Sequence, residues 1–330
     1  MLSRVREKKA INRNKSLLML TGFSCNNNCV VCSVKSREQF YPDRSLEELI
    51  LELAKKREEG FDHVEFTGGE PTIRRDIVLL VEAAKKLGYK KIALSTNGRL
   101  FRYPKFRDQI IEAGLNKITF SLLSHEQKIH DSITRTRGSY DEVIAGIKSM
   151  VGDSNIHVNI SSVICRFNYK DLKKFGQFVQ QLGVKQWYLL DLIPDGNAKK
   201  FYDSLSVPLP VLSRELNNLI ALSRGFLEFG FFDFPLCLFS PQARSLNNIC
   251  LVNAKMRSQT TQQVGYNPKR IRRQPGGNFE DSYRINVDIC KKCKYYKECG
   301  GIWREYLQKY GDKEIAFFAK KNKCLSGAVE

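Results

Sequence analysis

Short apolar runs alternate with longer amphipathic stretches along the first 205 residues of the chain. The apolar runs begin near Leu17, His63, Lys91, Lys117, His157 and Lys185. Strands that alternate with helices along a chain usually form a parallel sheet whose connections are right-handed. The pattern therefore predicts an α/β fold with six strand-helix units, which is a partial (β/α)6 TIM-like barrel over residues 15–205.

Two of the predicted helices carry a recognisable start signal. Ser45 is followed three residues later by Glu48, and Ser139 is followed in the same way by Glu142. This spacing is typical of a capping box, in which the two side chains satisfy backbone N–H groups at the helix start. Both serines are therefore predicted to be N-caps.

The strand-helix alternation ends near Ser206. The remainder holds an aromatic stretch at 226–239, a basic polar segment at 259–278 and six of the ten cysteines. We therefore predict a small cysteine-rich second domain over residues 206–330. Residues 1–14 are predicted to be a basic N-terminal extension.

The charge balance favours an anionic partner. The chain has 54 Lys and Arg residues against 35 Asp and Glu residues, a net charge of +19. Nucleic acid, an acidic peptide and phosphorylated substrates all fit such a surface. No apolar run is long enough to cross a membrane, and the N-terminus lacks the apolar core of a signal peptide. A cytoplasmic protein is expected, and clustered cysteines in that compartment more often bind metal than form disulfides.

Three cysteines follow the first predicted strand. Cys25, Cys29 and Cys32 have the spacing C-x3-C-x2-C. Iron–sulfur clusters normally take four cysteines, so a four-iron cluster on this loop would leave one iron open to a substrate or cofactor. Zinc bound by three cysteines and a fourth ligand is the alternative.

This loop resembles the signature of the radical S-adenosylmethionine (SAM) superfamily. The resemblance implies a [4Fe–4S] cluster whose open iron is chelated by SAM. It also implies reductive cleavage of SAM to methionine and a 5′-deoxyadenosyl radical that abstracts a substrate hydrogen. Val31 departs from the pattern, because many members have an aromatic residue there. We interpret it as a tolerated substitution.

The resemblance also implies SAM-binding residues at the ends of the other strands. Glu70, after two glycines, would help to hold the SAM ammonium, and Arg135, favoured over Arg137, would meet its carboxylate. The full predicted set is Gly68, Gly69, Glu70, Ser95, Asn97, Ser121, Arg135, Ser161 and Leu192. These positions follow predicted strands, and parallel α/β barrels build active sites at the carboxyl ends of their strands. Asp191 is expected to be a structural carboxylate.

A second cysteine group lies near the C-terminus. Cys290, Cys293 and Cys299 have the spacing C-x2-C-x5-C, which resembles the auxiliary-cluster domains called SPASM and twitch. A full SPASM pattern would place another cysteine where this chain has Trp303. The resemblance therefore implies one auxiliary [4Fe–4S] cluster rather than two.

The fourth ligand of this cluster is open between two cysteines. We favour Cys237, and Cys324 is the alternative. A zinc ribbon on the same thiolates also remains open, because four cysteines suit both metals. Cys165 and Cys250 have apolar neighbours and are expected to be buried hydrophobic residues, although Cys250 could complete an irregular site.

Three classes of function follow. The first is a radical SAM enzyme that modifies a peptide or protein and receives electrons from a donor such as flavodoxin or ferredoxin. The second is a radical SAM enzyme that acts on tRNA, rRNA or a small metabolite, with Lys269–Arg273 among the residues that would meet phosphates. The third is a non-enzymatic zinc protein. None of the four histidines shows ligand spacing, so no general acid or base is assigned.

Overall fold

The computed structural model describes residues 15–35, 42–252, 261–264 and 284–325. The predicted N-terminal extension 1–14 lies outside these ranges, as do Lys269–Arg273 and most of the basic segment 259–278.

The described strands fall into two sheets. The strands are β1 Lys15–Leu20, β2 Phe61–Thr67, β3 Lys91–Thr96, β4 Lys117–Ser121, β5 His157–Val163, β6 Gln186–Leu190, β7 Glu228–Phe232, β8 Ile249–Val252, β9 Thr261–Val264, β10 Arg284–Ile285 and β11 Ile302–Trp303. The first nine form one sheet, and β10 and β11 form an antiparallel pair.

Helices connect the strands and form a final pair near the C-terminus. They are α1 Leu46–Glu58, α2 Ile77–Lys86, α3 Pro104–Glu112, α4 Gln127–Thr134, α5 Ser139–Met150, α6 Leu172–Gln181, α7 Gly196–Lys200, α8 Tyr202–Leu205, α9 Leu209–Asn218, α10 Pro241–Ser245, α11 Arg304–Tyr310 and α12 Lys313–Lys321. None of the helices in the described ranges is both long and apolar enough to cross a bilayer.

The large sheet is parallel throughout and curls into a half-barrel. Its strand order is β8-β7-β6-β5-β4-β3-β2-β1-β9. All nine strands therefore end at the same rim, which we call the carboxyl rim. The six predicted strands are confirmed as β1 to β6, and with them the α/β barrel class.

The predicted end of the alternation near residue 206 is wrong. The sheet continues through β7 and β8, each of which follows a helix. The aromatic stretch supplies β7, whose Phe229 and Phe231 are buried in the core and pack edge to face with ring centroids 4.9 Å apart. Phe229 also packs against Trp187 of β6, with the centroids 5.5 Å apart. The phenylalanines thus continue the outer apolar face of the sheet.

One of the two capping predictions is confirmed. Ser45 caps α1, with reciprocal hydrogen bonds to Glu48. The second is wrong, because the N-cap of α5 is Gly138, which has a φ of 79°. Ser139 is drawn away from the cap because its Oγ donates to Asp131 Oδ1 at 2.9 Å. The side chain of Asp131, four residues beyond the start of α4, thus outcompetes the local motif.

Candidate functional site

The first cysteine loop starts at the carboxyl rim, where it pairs with the loop that follows β2. Gly69 N donates to Gly22 O at 2.8 Å, and Glu70 N donates to Ser24 O at 2.8 Å. These bonds prolong the pairing of β1 with β2 past the strand ends. They bring Cys25 to the rim beside the Gly-Gly-Glu turn.

Both glycines of that turn are required by close backbone approach. A Cβ atom on Gly68 would lie 2.2 Å from Gly22 O, and one on Gly69 would lie 2.1 Å from Ser24 O. Gly68 also has a φ of +126°, which side-chain-bearing residues rarely adopt. The glycines therefore allow the cysteine loop to lie directly on the turn.

The three thiols of the loop are close enough to influence one another. Burial raises the pKa of the Cys25 thiol to about 11, and Cys32 and Glu70 raise it as well. Burial raises the pKa of Cys29 further, with Cys32 and Cys25 adding to the effect. Three adjacent thiolates repel one another unless a cationic centre offsets their charge. Iron or zinc would do so, because metal coordination deprotonates a thiol.

The cysteine loop suits an iron–sulfur cluster, which does not need the three thiols to meet at a single metal ion. In the described ranges, no group of three or more His, Cys, Asp or Glu side chains is arranged around a single metal ion. A four-iron cluster binds each thiolate through a different iron, so the thiols need not meet at one point. Cys25, Cys29 and Cys32 are the residues that would hold it.

The end of α4 holds the middle of the cysteine loop. Asn28 N and Val30 N donate to backbone carbonyls in the last turn of α4, at 3.1 and 2.8 Å. Arg135 follows that turn in the left-handed conformation, with a φ of 53°. Its guanidinium lies 5.8 Å from the ring centroid of Phe201. The predicted carboxylate-binding arginine is therefore beside the loop.

The segment after β6 also forms hydrogen bonds with the cysteine loop, a role that sequence reasoning missed. Asn197 Nδ2 donates to Cys29 O and to Asn28 Oδ1, both at 3.0 Å. Ala198 N donates to Cys32 O at 3.2 Å. The only sequence signal for these contacts is the turn-forming composition of residues 195–197.

Arg99 is a second residue that sequence reasoning missed. Its Nη1 donates to Asn26 O at 2.6 Å and to Asn27 Oδ1 at 3.0 Å. Its Nε pairs with the carboxylate of Glu142. Asn97 Nδ2 adds a bond to Asn26 Oδ1 at 2.6 Å. The end of β3 therefore fixes the segment between Cys25 and Cys29.

Glu70 is engaged within the protein. Its carboxylate accepts from Thr72 N at 3.0 Å, Thr72 Oγ1 at 2.6 Å, Thr96 Oγ1 at 2.7 Å and Asn97 N at 2.6 Å. Burial raises the pKa of Glu70, while these bonds oppose the rise. A carboxylate offers about four acceptor positions. Glu70 therefore ties the turn after β2 to the end of β3, and its contact with the SAM ammonium stays a prediction.

The other predicted SAM-binding residues also lie at or near the carboxyl rim. Ser121, the last residue of β4, is the register partner of Ser161, which lies two residues before the end of β5. Leu192 is buried just after β6. Ser95 is turned to the inside of the half-barrel, where its Oγ donates to the carboxylate of Glu65. The structure thus brings the whole predicted set to one rim, and their individual roles stay predictions.

Asp191 connects the rim to the β10–β11 pair. Trp303 Nε1 donates to Asp191 Oδ2 at 2.7 Å, and Leu192 N donates to Oδ1 at 2.9 Å. The Arg284 guanidinium lies 3.6 Å from the Trp303 ring centroid. Burial raises the pKa of Asp191 to about 7, although Arg284 and Trp303 lower it. Asp191 is thus bonded as a structural carboxylate would be, and the residue in place of a SPASM cysteine makes that bond.

The C-terminal cysteines converge on one cavity. Cys237, Cys290, Cys293 and Cys299 all line it. Burial raises the pKa of Cys237 well above its ordinary value, and the neighbouring Cys299, Cys324, Cys290 and Cys293 raise it as well. Five thiols therefore lie in one neighbourhood, which is the donor set that a four-cysteine metal centre needs.

Cys324 differs from Cys237 in its surroundings. Its side chain is fully buried beside the cavity, where its Sγ accepts a hydrogen bond from Arg244 Nη1 at 3.3 Å. Cys165 is fully buried, as expected. Cys250 is only partly buried on the edge strand β8, so the expectation of a buried hydrophobic residue is wrong there.

Sequence comparison supports the assignment of the N-terminal part. Residues 19–179 match the family described as "Radical SAM superfamily". A "Probable GTP 3′,8-cyclase" of Saccharolobus islandicus (strain M.14.25 / Kamchatka #1) is 34% identical over 175 residues, 53% of this chain and 56% of the relative. One from Sulfurisphaera tokodaii is 29% identical over 179 residues, with 54% and 56% covered. This chain therefore spans little more than half the length of the curated relatives it matches.

Two solved structures share the fold over most of the chain. Streptococcus suis SuiB bound to its precursor peptide SuiA has a TM-score of 0.60 and 15% identity, covering 90% of this chain and 73% of SuiB. Native anSMEcpe with bound AdoMet and Cp18Cys peptide has a TM-score of 0.60 and 16% identity, covering 92% and 96%. At these identities the likeness establishes the fold alone. The sequence match to the radical SAM superfamily covers residues 19–179, just under half of this chain.

Proposed function

We propose that this chain cleaves SAM reductively and uses the resulting radical to abstract a hydrogen atom from a peptide or protein. The observation that carries the proposal is the position of Cys25, Cys29 and Cys32, which lie together at the carboxyl rim of a parallel half-barrel. When bound there, a [4Fe–4S] cluster would supply the open iron and the electron that convert SAM to methionine and a 5′-deoxyadenosyl radical.

The chain's own residues would hold and orient these groups. Arg99 and Asn197 fix the cysteine loop through hydrogen bonds to its backbone. Gly68 and Gly69 expose backbone at the turn where SAM would lie. Arg135 offers a guanidinium for the SAM carboxylate by a charge-assisted hydrogen bond. The test of the reaction is formation of 5′-deoxyadenosine and methionine by the reduced, iron-loaded protein.

A peptide or protein substrate is favoured by the share of this chain that resembles the known proteins in each comparison. The structures solved with peptides resemble at least 90% of this chain. The sequence likeness to GTP 3′,8-cyclases extends over only 53% of it. The fold likeness to the peptide-bound enzymes therefore extends over more of this chain than the sequence likeness to the cyclases does.

A nucleotide substrate is the second candidate. It is favoured by the 34% identity to the probable GTP 3′,8-cyclases and by the net charge of +19, which suits a polyphosphate. A nucleotide would bring negative charge into the half-barrel, whereas a peptide side chain need not.

We further propose that the C-terminal cavity holds one auxiliary [4Fe–4S] cluster on Cys237, Cys290, Cys293 and Cys299. All four cysteines line the same cavity. A fully ligated cluster has no open iron for SAM, so its use would be electron transfer, substrate positioning or support of the fold. A carrier such as flavodoxin or ferredoxin is proposed as the electron donor.

Iron content tests this ligand set with a matched pair of variants. Reconstituted wild-type protein should carry about eight iron atoms as two four-iron clusters. Cys237→Ala should lower the count towards about four, because it removes a ligand that faces the cavity. Cys324→Ala, at another buried cysteine of the same neighbourhood, should keep about eight. Iron loss on Cys324→Ala alone would reverse the assignment, and zinc in the cavity would make this region a zinc ribbon.

A further inference from the structure

The inner face of the half-barrel is unusually polar. Interiors of β/α barrels are generally filled by branched apolar side chains. Here the outward positions hold apolar residues such as Ile160, Trp187 and Phe229, which are buried in the core. The alternating inward positions of β2 to β7 include Glu65, Ser95, Thr119, Asn159, Ser161, Tyr188 and Glu228.

Two carboxylates of this inner face approach the same phenol. Tyr188 OH donates to Glu228 Oε1 at 2.9 Å. Glu65 is near enough to add to the rise in the pKa of Tyr188, which burial and Glu228 cause first. Because β2 and β7 lie on opposite sides of the half-barrel, the two carboxylates face one another across its interior. Within the described residues, neither carboxylate forms an ion pair within 4.0 Å. Lys117, the first residue of β4, is on the same face and in the same register row as Glu65, through Ala93.

A buried amide points into the same space without a partner. Asn159 is 0% exposed, and neither Oδ1 nor Nδ2 has a hydrogen-bond partner among the described residues. Its register partners are Thr119 and Gln186, and Gln186 Oε1 accepts weakly from Tyr188 OH at 3.4 Å. A buried polar group without a hydrogen-bond partner is destabilising. The amide therefore indicates a place where a ligand supplies the missing bonds.

We propose that Glu65, Glu228 and Asn159 bind a cationic side chain of the substrate, a lysine ammonium or an arginine guanidinium, inside the half-barrel. Two carboxylates and an amide oxygen provide acceptors for charge-assisted hydrogen bonds. The local charge is opposite to that of the chain as a whole, which is +19. A triphosphate would be repelled by the same carboxylates. The inference names the substrate class and in that respect rests on the proposed function.

Cys250 provides a reporter inside this space. It lies on β8 as the register partner of Gly230, which in turn pairs with Tyr188. Its side chain is partly exposed, and burial and Glu228 raise the pKa of its thiol to about 11. Alkyl methanethiosulfonates react with such a thiol. The thiolate attacks the sulfenyl sulfur, a mixed disulfide forms, methanesulfinate leaves, and the thiol proton passes to water.

The experiment compares a cationic 2-aminoethyl reagent with an anionic 2-sulfonatoethyl reagent on the iron-loaded full chain. Mass spectrometry of the Cys250 peptide gives the labelling rate of each reagent. The ratio of the cationic rate to the anionic rate is then divided by the same ratio for the free thiol 2-mercaptoethanol. We expect a normalised ratio of at least about ten, since a carboxylate-lined cleft concentrates cations. The double variant Glu65→Gln with Glu228→Gln should bring it to within about twofold of the free thiol, because the attracting charge is gone.

The ratio removes the main confounding effect. Replacing Glu228 also changes the pKa of the Cys250 thiol, but that change affects both reagents alike. Glu82→Gln, on the outer helix α2, should leave the ratio unchanged. A wild-type ratio equal to that of the free thiol, or a ratio that the double variant does not move, overturns the proposal. A ratio that favours the anionic reagent overturns it as well and supports the nucleotide candidate.

Competition distinguishes the two cations. Nα-acetyl-lysine amide and Nα-acetyl-arginine amide should slow labelling of Cys250 more than the neutral Nα-acetyl-norleucine amide, and the stronger competitor identifies the side chain. Equal protection by all three, or by none, contradicts a cation site.

Labelling of Cys250 needs neither SAM nor reductant. A charge-selective protein that makes no 5′-deoxyadenosine would therefore refute the proposed reaction alone.

Discussion

The triple variant Cys25→Ala, Cys29→Ala, Cys32→Ala is expected to carry about four iron atoms in place of about eight and to produce no 5′-deoxyadenosine. The three cysteines are only partly buried residues of a rim loop, so their loss should spare the core and the C-terminal cavity. Electron paramagnetic resonance provides the second readout. SAM should perturb the signal of the reduced wild-type protein and leave that of the variant unchanged.

A matched control separates ligand loss from general damage. Cys165→Ala removes a fully buried thiol at a distance from both cysteine groups in the sequence. It should retain about eight irons and SAM cleavage, at a modest cost in stability. Cleavage of SAM by the triple variant would show that this loop is not the site of the reaction.

Gly68→Ala is expected to have the second largest effect. The new Cβ would lie 2.2 Å from Gly22 O, a backbone atom that cannot move without shifting the loop that leads to Cys25. SAM affinity should fall at least about tenfold, and iron at the N-terminal site should fall with it, because overpacking against backbone displaces whole segments. Calorimetry with SAM and iron analysis measure the two effects.

Gly60→Ala is the control for backbone strain. Gly60 has a comparable left-handed φ of +88°, but a Cβ there would meet nothing within 4 Å. It should therefore cost only the strain of a left-handed residue, about 1–2 kcal/mol of folding free energy, and leave SAM affinity unchanged. If both variants bind SAM equally well, the close approach at Gly68 does not support the site.

The strands and the cysteine loop were predictable because their signals are local. Each of the first six strands is an apolar run with its own helix after it, and Cys25, Cys29 and Cys32 lie within eight consecutive residues. Parallel topology then sends every strand end to one rim. The position of the candidate site therefore follows from sequence order alone.

The contacts that hold the loop were not predictable in the same way. Arg99 and Asn197 reach it from residues 72 and 168 positions away along the chain. Neither belongs to a motif, and an arginine or asparagine in a loop is ordinarily solvated. The two residues reach the loop only because the strand ends of the parallel sheet meet at one rim, where the segments after β3 and β6 contact the loop after β1.

Glu70 and Trp303 illustrate a different limit. Sequence pattern places Glu70 after two glycines but cannot reveal that its carboxylate accepts four hydrogen bonds from Thr72, Thr96 and Asn97. Sequence pattern also shows that Trp303 stands where a SPASM domain has a cysteine, but it does not indicate which contact replaces the bond to the metal. In the structure its indole donates to Asp191 and stacks on Arg284, so a polar contact takes the place of a ligand.

The central claim is tested most directly by assaying reduced, iron-loaded wild-type protein for cleavage of SAM under anaerobic conditions. The account predicts that 5′-deoxyadenosine and methionine form in equal amounts, and that both require iron and reductant. They should form slowly even without substrate and faster with it. Iron-loaded, reduced protein that binds SAM but yields no 5′-deoxyadenosine would contradict the account.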